Sequence, residues 1–222
     1  MERIRIDALW RFPYATMAAP LLSRFLYPWE VLPEISAFIL NCGEMLSDEE
    51  YENRGDGVWI SRKATVASGV TVTGPCIICA GAEIRHCAYL RGSVIVGQNS
   101  VVGNSTELKN CILFDGVQVP HYNYVGDSIL GYRAHMGAGA ITSNVKSDKS
   151  EVTVRLGEAR IPTGRKKLGA MLGDYVEVGC NTVLNPGTVI GAHSNIYPLS
   201  NVRGFVPENC IFKSQSNIVT KN

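Results

Sequence analysis

The chain has 222 residues, 45% of them hydrophobic and 18% charged, with a formal net charge of +1. This apolar content excludes a disordered chain, and the near balance of charges argues against nucleic-acid and polybasic membrane partners. Apolar runs fall far short of the roughly 18 residues that a membrane span needs, and Asp7 argues against a signal peptide. The seven cysteines include one CxxC pair, Cys76 and Cys79. An odd number of cysteines with one such pair fits reduced thiols in a cytoplasmic protein, which is our expectation.

Residues 1–55 carry apolar side chains at helical spacing: Leu32, Ile35, Phe38, Ile39, Cys42 and Leu46. This spacing predicts a helical segment. Because the β-structure expected after it would begin with an open sheet edge, we expect the segment to act as an N-terminal cap.

A six-residue repeat follows the N-terminal segment. Apolar residues stand at every sixth position in a first run and again in a second: Ile60, Val66, Val72, Ile78, Ile84, Leu90, Val96, Val102, Leu108 and Phe114; then Leu172, Val178, Leu184, Ile190, Ile196 and Val202. Between the runs, Tyr124, Leu130 and Met136 keep the period, with a slip of two residues that we place near Pro120 and His121. A six-residue period fits a three-sided prism with about eighteen residues per coil. The sequence therefore predicts an all-β left-handed parallel β-helix over residues 56–212, followed by a tail at 213–222.

Residues 145–170 interrupt the period. The segment is charged and includes Arg165-Lys166-Lys167. We expect a loop that leaves the prism; long loops of this kind often cover active sites, although a merely solvated loop is an equal alternative.

Three groups of residues are candidates for chemistry. His121 lies at the phase slip and is a candidate general base, or else a solvated corner residue. Arg91 and Lys109 are eighteen residues apart, which places them on adjacent coils as a phosphate clamp or as ordinary surface charge. The small residues of Gly137–Asn144 leave backbone N–H groups accessible to an oxyanion. His86, His121 and His135 lack the close spacing of a metal site, so no metal is predicted, and Cys180 has no histidine nearby that would activate it.

The segment from Ala88 to Asn144 resembles a known family. Its motifs are Tyr89-Leu90-Arg91, Glu107-Leu108-Lys109, His121-Tyr122-Asn123-Tyr124-Val125-Gly126-Asp127 and Gly137-Ala138-Gly139-Ala140-Ile141-Thr142-Ser143-Asn144. They resemble the glucosamine-1-phosphate N-acetyltransferase domain of the bifunctional enzymes that make UDP-N-acetylglucosamine. The later segment Thr163–Gly169 is most similar to the archaeal-type members, and the likeness covers about residues 28–212.

The resemblance implies an acetyl-CoA-dependent N-acetyltransferase without a metal requirement. By this likeness His121 is the general base, and a sugar phosphate binds to Arg91, Lys109, Tyr124, His135 and Asn144. Ala138 and Cys180 would then contact acetyl-CoA. The resemblance also implies a homotrimer, with a separate uridyltransferase as a further partner, because the first 55 residues are too few for a nucleotide-binding domain.

Three positions depart from the family pattern. His135 stands where an Asn is usual, Cys180 where a Ser is common, and Pro198 where a small residue is usual. Two alternatives stay open on these grounds: an acyltransferase for another sugar nucleotide or amine, and a non-catalytic sugar-phosphate-binding scaffold. A β-helix carbonic anhydrase is a third alternative, which bound zinc would distinguish.

Overall fold

The computed structural model describes residues 1–11 and 15–221. The N-terminal segment is helical, with three 3₁₀ turns and three short α-helices: Glu2–Ile4, Pro28–Glu30 and Leu32–Glu34; α1 (Ile6–Leu9), α2 (Ala19–Leu22) and α3 (Ile35–Gly43). In this described part, no helix is long and apolar enough to cross a membrane.

The rest of the described chain consists of strands. In chain order they are β1 (Tyr51–Asn53), β2 (Val58–Ser61), β3 (Thr65–Val66), β4 (Thr71–Thr73), β5 (Cys76–Ile78), β6 (Glu83–Ile84), β7 (Tyr89–Arg91), β8 (Val94–Val96), β9 (Val101–Asn104), β10 (Glu107–Leu113), β11 (Gln118–His121), β12 (Tyr124–Leu130), β13 (His135–Met136), β14 (Ile141–Thr142), β15 (Val152–Leu156), β16 (Ala159–Arg165), β17 (Ala170–Leu172), β18 (Glu177–Val178), β19 (Val183–Leu184), β20 (Thr188–Ile190), β21 (Asn195–Ile196), β22 (Asn201–Val202), β23 (Phe205–Val206), β24 (Cys210–Ser214) and β25 (Asn217–Thr220).

The strands wind into a left-handed β-helix of about nine turns, which confirms the predicted fold class. Parallel pairing stacks the coils into three faces. The first face consists of β3, β6, β9, β11, β13, β18, β21 and β24. The second face consists of β4, β7, the first halves of β10 and β12, β14, β19 and β22. The third face consists of β2, β5, β8, the second halves of β10 and β12, β17, β20 and β23.

Apolar side chains that point inward form the core of the prism. Leu90, Leu108 and Val125 stack in register on the second face, and each is fully buried. Each buried aliphatic side chain contributes about 1.5–3 kcal/mol relative to an exposed one. The six-residue period therefore maps onto one core position per face.

The phase slip lies elsewhere than the sequence suggests. Strand pairing places Leu113 beside Val96 and Leu130 beside Leu113, each seventeen residues apart. One residue is therefore missing between Leu108 and Leu113, and one more between Val125 and Leu130, instead of two near Pro120 and His121. Phe114 accordingly leaves the inward column and packs against the Trp10 ring, 5.2 Å between centroids; Val125 replaces Tyr124 in that column. The two corners of the prism that each lack one residue shape the candidate site.

The helical N-terminal segment lies along the third face. From β2 to β20, the residues that point outward from this face are at most 6% exposed: Trp59, Ile77, Ile95, Ile112, Ile129, Met171 and Val189. On β23 the outward residue, Phe205, is only partly buried. Residues of α3 contact β5, β8 and β10, and the Trp10 indole N–H donates to the Leu172 carbonyl at 2.8 Å. The segment covers this side because a column of large apolar residues would otherwise face water.

Two antiparallel strands protect the ends of the helix. β1 pairs with β2 at the first coil, and β25 pairs with β24 at the last. Each strand supplies backbone partners to an edge that could otherwise join another chain.

Residues 145–170, expected as a loop, contain the antiparallel hairpin formed by β15 and β16. The hairpin leaves the prism at the edge between the second and third faces. Val152 and Val154 are 1% and 0% exposed, so the hairpin is anchored by apolar contacts. β15 lies against β20 and β23 of the third face.

Candidate active site

The second face remains open, and polar side chains line its middle. Tyr89, Glu107 and Tyr124 point outward from adjacent coils in register. Arg91 Nη1 lies 2.6 Å from Glu107 Oε1 in an exposed ion pair, so this arginine has an acidic partner. Lys109 follows Leu108, the partner of Leu90, which confirms that Arg91 and Lys109 lie on adjacent coils. The structure thus places two cations side by side on one surface.

Asp127 forms the centre of this cluster. It occupies the second short corner, with φ of 48°, directly beside Asn110 at the first, with φ of 47°. Asp and Asn tolerate this left-handed conformation better than most residues, which suits both to a shortened corner. Asp127 is only 2% exposed, and its carboxylate accepts a hydrogen bond from Asn110 Nδ2 at 2.8 Å. The Lys109 Nζ lies 3.6 Å from the same carboxylate, so the buried charge has a cationic neighbour.

Asn144 links this carboxylate to Tyr124. Its Nδ2 donates to Asp127 Oδ2 at 2.5 Å and to the Tyr124 hydroxyl at 3.2 Å. Burial raises the pKa of Tyr124, and the nearby Asp127 and Glu107 raise it further. The phenol therefore stays protonated at neutral pH and can donate a hydrogen bond to a ligand. Four sequence-predicted residues, Arg91, Lys109, Tyr124 and Asn144, are thus brought together.

His121 lies at the edge between the first and second faces, at the end of β11. Its side chain is exposed, and in the described part of the chain the imidazole makes no hydrogen bond. The neighbouring Asn123 is 2% exposed and holds the corner in place: its Oδ1 accepts from the His121 backbone N–H at 3.1 Å. The Asn123 amide also donates to the carbonyls of Gly137 and Ala140 at 2.8 and 3.0 Å. One buried amide therefore fixes His121 against the next coil.

The small residues of Gly137–Ala140 are required by close packing. A Cβ on Gly137 would lie 2.8 Å from the Cys180 backbone N, and Gly139 adopts a φ of 71°. The N–H groups of Gly137, Gly139 and Ala140 donate to backbone carbonyls, that of Gly139 to His121 at 3.0 Å. The Ala138 N–H has no acceptor among the residues described. It is therefore available to an external oxygen one coil from His121.

Cys180 continues the same edge. The Asn181 N–H donates to the Ala138 carbonyl at 2.8 Å, and the Leu199 N–H to the Cys180 carbonyl at 2.9 Å. His121, Ala138, Cys180 and Pro198 thus occupy equivalent positions on successive coils, at a spacing of about 4.8 Å. Cys180 is an exposed, free thiol.

His135 lies on the first face, apart from the second-face cluster. Its Nδ1 is 2.7 Å from Oε2 of Glu177, the residue that pairs with it on the next coil. Among described residues, His135 shares no hydrogen bond with Lys109, Tyr124 or Asn144. The fold of the chain therefore does not bring His135 together with the other predicted sugar ligands.

Asp127 and Asn123 were not among the candidate residues from the sequence. Both belong to the motif His121–Asp127, which points to them without giving them roles. Their importance depends on burial and on partners seventeen or more residues away, such as Asn110 and Asn144. Six-residue spacing alone does not show this, because both lie at corners.

Stacked coils of three six-residue repeats, with a polar cluster on one open face and a histidine edge beside it, define a hexapeptide-repeat protein. The model of the GMPPB C-terminal domain family matches residues 72–197. This match covers more than half of the chain, which therefore belongs to that family.

Curated relatives agree with the resemblance noted in the sequence. The bifunctional sugar-1-phosphate nucleotidylyltransferase/acetyltransferase of Sulfurisphaera tokodaii is 34% identical over 177 residues, which are 77% of this chain and 43% of the relative. The bifunctional protein GlmU of Methanococcus maripaludis (strain C5) is 33% identical over 214 residues, 88% of this chain and 48% of the relative. The chain thus spans about half the length of the curated relatives it matches.

Among solved structures, the polySia specific acetyltransferase NeuO is 17% identical to this chain. The match covers 77% of this chain and 79% of that one, with a TM-score of 0.49.

Proposed function

We propose that the protein transfers an acetyl group from acetyl-CoA to the amine of a phosphorylated amino sugar, specifically glucosamine 1-phosphate. The observation that carries the proposal is the placement of His121 and the Ala138 N–H on one edge, beside a face that presents Arg91 and Lys109. The names of the relatives support both the acetyl transfer and a sugar phosphate as acceptor, since one relative is named as a sugar-1-phosphate nucleotidylyltransferase/acetyltransferase.

The sugar phosphate would bind on the second face. Lys109 and Arg91 supply the positive charge for the phosphate, and each can move from its present carboxylate partner toward the ligand. Tyr124 and Asn144 present a hydroxyl and an amide for sugar hydroxyl groups. Asp127 holds Asn144 and Lys109 in position from beneath.

The chemistry would occur at the edge. His121 is the proposed base that takes a proton from the amine as its nitrogen attacks the thioester carbonyl carbon. The Ala138 N–H stabilises the oxyanion that forms, the carbon–sulfur bond breaks, and the CoA thiolate leaves and takes up the proton. Cys180 and Pro198, on the next coils of this edge, would line the path of the CoA arm.

We also propose that three copies associate around this edge. The third face is covered by the protein's own helices, whereas large side chains remain exposed at the edge: Tyr122 is 63% exposed and Leu199 79%. A neighbouring copy would cover these side chains and could bring the first-face pair of His135 and Glu177 toward a ligand.

The experiment is to incubate the protein with acetyl-CoA and glucosamine 1-phosphate and to detect N-acetylglucosamine 1-phosphate by mass spectrometry. Direct product detection is preferable to a thiol dye because seven cysteines would react with the dye. We expect product from the wild type and about 10²–10⁴-fold less from His121→Ala. His86→Ala is the matched control, since His86 lies on the same edge two coils before His121, about 10 Å away, with its ring against the Ser68 carbonyl.

Bound acetyl-CoA without this product would exclude glucosamine 1-phosphate; a 4-amino sugar nucleotide offered in its place tests the other acceptor class. Failure to bind acetyl-CoA would contradict acetyl transfer and favour a non-catalytic scaffold. Full activity of His121→Ala would contradict the role of His121 as the base.

A further inference from the structure

A second cationic site lies away from the proposed active site, in a cleft between the β15–β16 hairpin and the last coils of the prism. Its charged lining is Lys146, Arg155, Arg160 and Arg203, and its neutral polar lining is Thr153 and Asn185. Arg155 and Arg160 belong to the hairpin, and Arg203 follows β22 on the prism. The lining thus carries four cations, in a chain whose whole net charge is +1.

The three arginines of the cleft lack acidic partners. Within residues 1–11 and 15–221, no aspartate or glutamate lines the cleft, and the three arginines form no ion pair. Lys146 has a neighbour, Asp148, at 3.5 Å, outside the cleft lining. Elsewhere, Arg11, Arg54, Arg85 and Arg91 each pair with a glutamate. Six other arginines of the described residues also form no ion pair, so what distinguishes the cleft is that three unpaired arginines line it together without a carboxylate.

The arrangement also places like charges opposite one another. Arg155 and Arg160 are directly paired across the hairpin, a position in which two cations destabilise the strand pair. A Cβ at Gly204, beside Arg203, would lie 3.1 Å from the Arg155 Cβ, so the hairpin and the last coil are in close contact here. Three guanidinium groups thus line one cleft although their positive charges repel one another.

Close packing holds the hairpin in this position. Val152 and Val154 are buried, and Thr163 Oγ1 donates to the Val152 carbonyl at 2.5 Å. A Cβ on Gly187 would lie 2.9 Å from the Thr153 carbonyl oxygen, so glycine is needed for the contact. The arginine backbones are therefore fixed before any ligand binds, which lowers the entropic cost of binding.

We propose that this cleft binds a phosphate-ester or diphosphate group of a small molecule. Planar guanidinium groups match phosphate oxygens in pairs, and an anion among Arg155, Arg160 and Arg203 removes the repulsion between them. No residue of the proposed reaction lines the cleft, so binding of a phosphate group there can be measured without acetyl transfer.

The group has two possible sources. Arg203 lies on the edge that also carries Asn144, two coils further on and therefore about 10 Å away along the axis. The cleft could thus hold the phosphates of CoA itself, or those of a separate nucleotide that binds together with CoA. Both sources present the same diphosphate chemistry.

The test is titration calorimetry with pyrophosphate on the full chain, comparing wild type with Arg155→Gln/Arg160→Gln. We expect at least about tenfold weaker pyrophosphate binding in the variant. Without ligand, its melting temperature should equal or exceed that of the wild type, because the like-charge pair is gone. Arg24→Gln/Lys213→Gln is the matched control: it removes the same two charges from exposed positions elsewhere and should bind as the wild type does.

A repeat with saturating CoA distinguishes the sources. Competition between CoA and pyrophosphate, with both weakened in the variant, assigns the site to CoA; undiminished pyrophosphate binding assigns it to a separate nucleotide. Equal binding in the variant and wild type, equal loss in the control, or no binding at millimolar pyrophosphate would overturn the proposal. None of these results depends on detecting acetyl transfer.

Discussion

The second and third faces are built from the same coils, yet their outward side chains differ. On the third face Ile95, Ile112 and Ile129 stack in register and are fully buried beneath the N-terminal helices. On the second face the corresponding column includes Tyr89, Glu107 and Tyr124, which reach the surface. Both columns extend from strands that share the same core.

This contrast separates stability from function along one chain. An apolar outward column needs a cover and obtains one, so the third face adds a second layer of burial to the fold. A polar outward column needs no cover and can receive a ligand. Substitutions in the first column should therefore change the free energy of unfolding, and those in the second should change ligand binding.

The largest expected effect is on stability. Ile112→Ala on the third face should lower the free energy of unfolding by about 2–5 kcal/mol, because it opens a cavity between two packed layers. Ile141→Ala, its counterpart in the second-face column, is the matched control and should cost less than about 1.5 kcal/mol, since that side chain is partly exposed and has no second layer over it. Urea unfolding followed by circular dichroism measures both; equal losses would contradict the contrast between the faces.

The next largest effect is expected on both stability and ligand binding. Asp127→Asn should lower the free energy of unfolding by about 1–3 kcal/mol. The buried carboxylate accepts hydrogen bonds from Asn110 and Asn144, and the amide that replaces it would point an N–H donor at one of these donors. Lys109 also loses its negative neighbour, so we expect KM for glucosamine 1-phosphate to rise while KM for acetyl-CoA stays within about twofold. Urea unfolding and steady-state kinetics give the two numbers.

Asp148→Asn is the control for this charge change, since Asp148 is exposed and its partners are Lys146 and Ser150, which lie outside the cluster. A loss of stability in Asp127→Asn without any change in sugar KM would limit Asp127 to a structural part.

A smaller effect is expected at Tyr124. Tyr124→Phe removes the hydroxyl that accepts from Asn144. It should weaken transition-state binding by about 0.5–1.5 kcal/mol, which lowers kcat/KM roughly two- to tenfold. Because the pKa of Tyr124 is raised above its usual value near 10, the phenol should not ionise at lower pH. Wild type and variant should therefore show the same pH profile of kcat/KM up to pH 10. An alkaline limb below pH 10 that disappears in Tyr124→Phe would contradict this.

The smallest effect is expected on the histidine edge. Cys180→Ser keeps the size of the side chain, and the exposed thiol has no partner among the described residues. KM for acetyl-CoA should change less than about threefold, with unfolding unchanged within about 0.5 kcal/mol. A large loss of activity would contradict this prediction and show that the thiol takes part in the reaction.

Much of the fold could be predicted because the six-residue period directly records the inward positions such as Leu90 and Leu108. The helical segment was predictable from apolar spacing, but its place along the third face was not, since this depends on the outward column Ile95, Ile112 and Ile129. The phase slip was misplaced because two separate one-residue deletions resemble one slip of two in a periodic sequence. Within the site, adjacency of Arg91 and Lys109 followed from their spacing, whereas the bond between Asp127 and Asn144 required the fold.

The most direct test of the account is a crystal structure of the protein with glucosamine 1-phosphate and CoA. We predict that the sugar phosphate lies against Lys109 and Arg91 on the second face, with the amine nitrogen about 3 Å from the His121 imidazole. A sugar bound on the first face beside His135, with His121 and Lys109 both remote from it, would contradict the account.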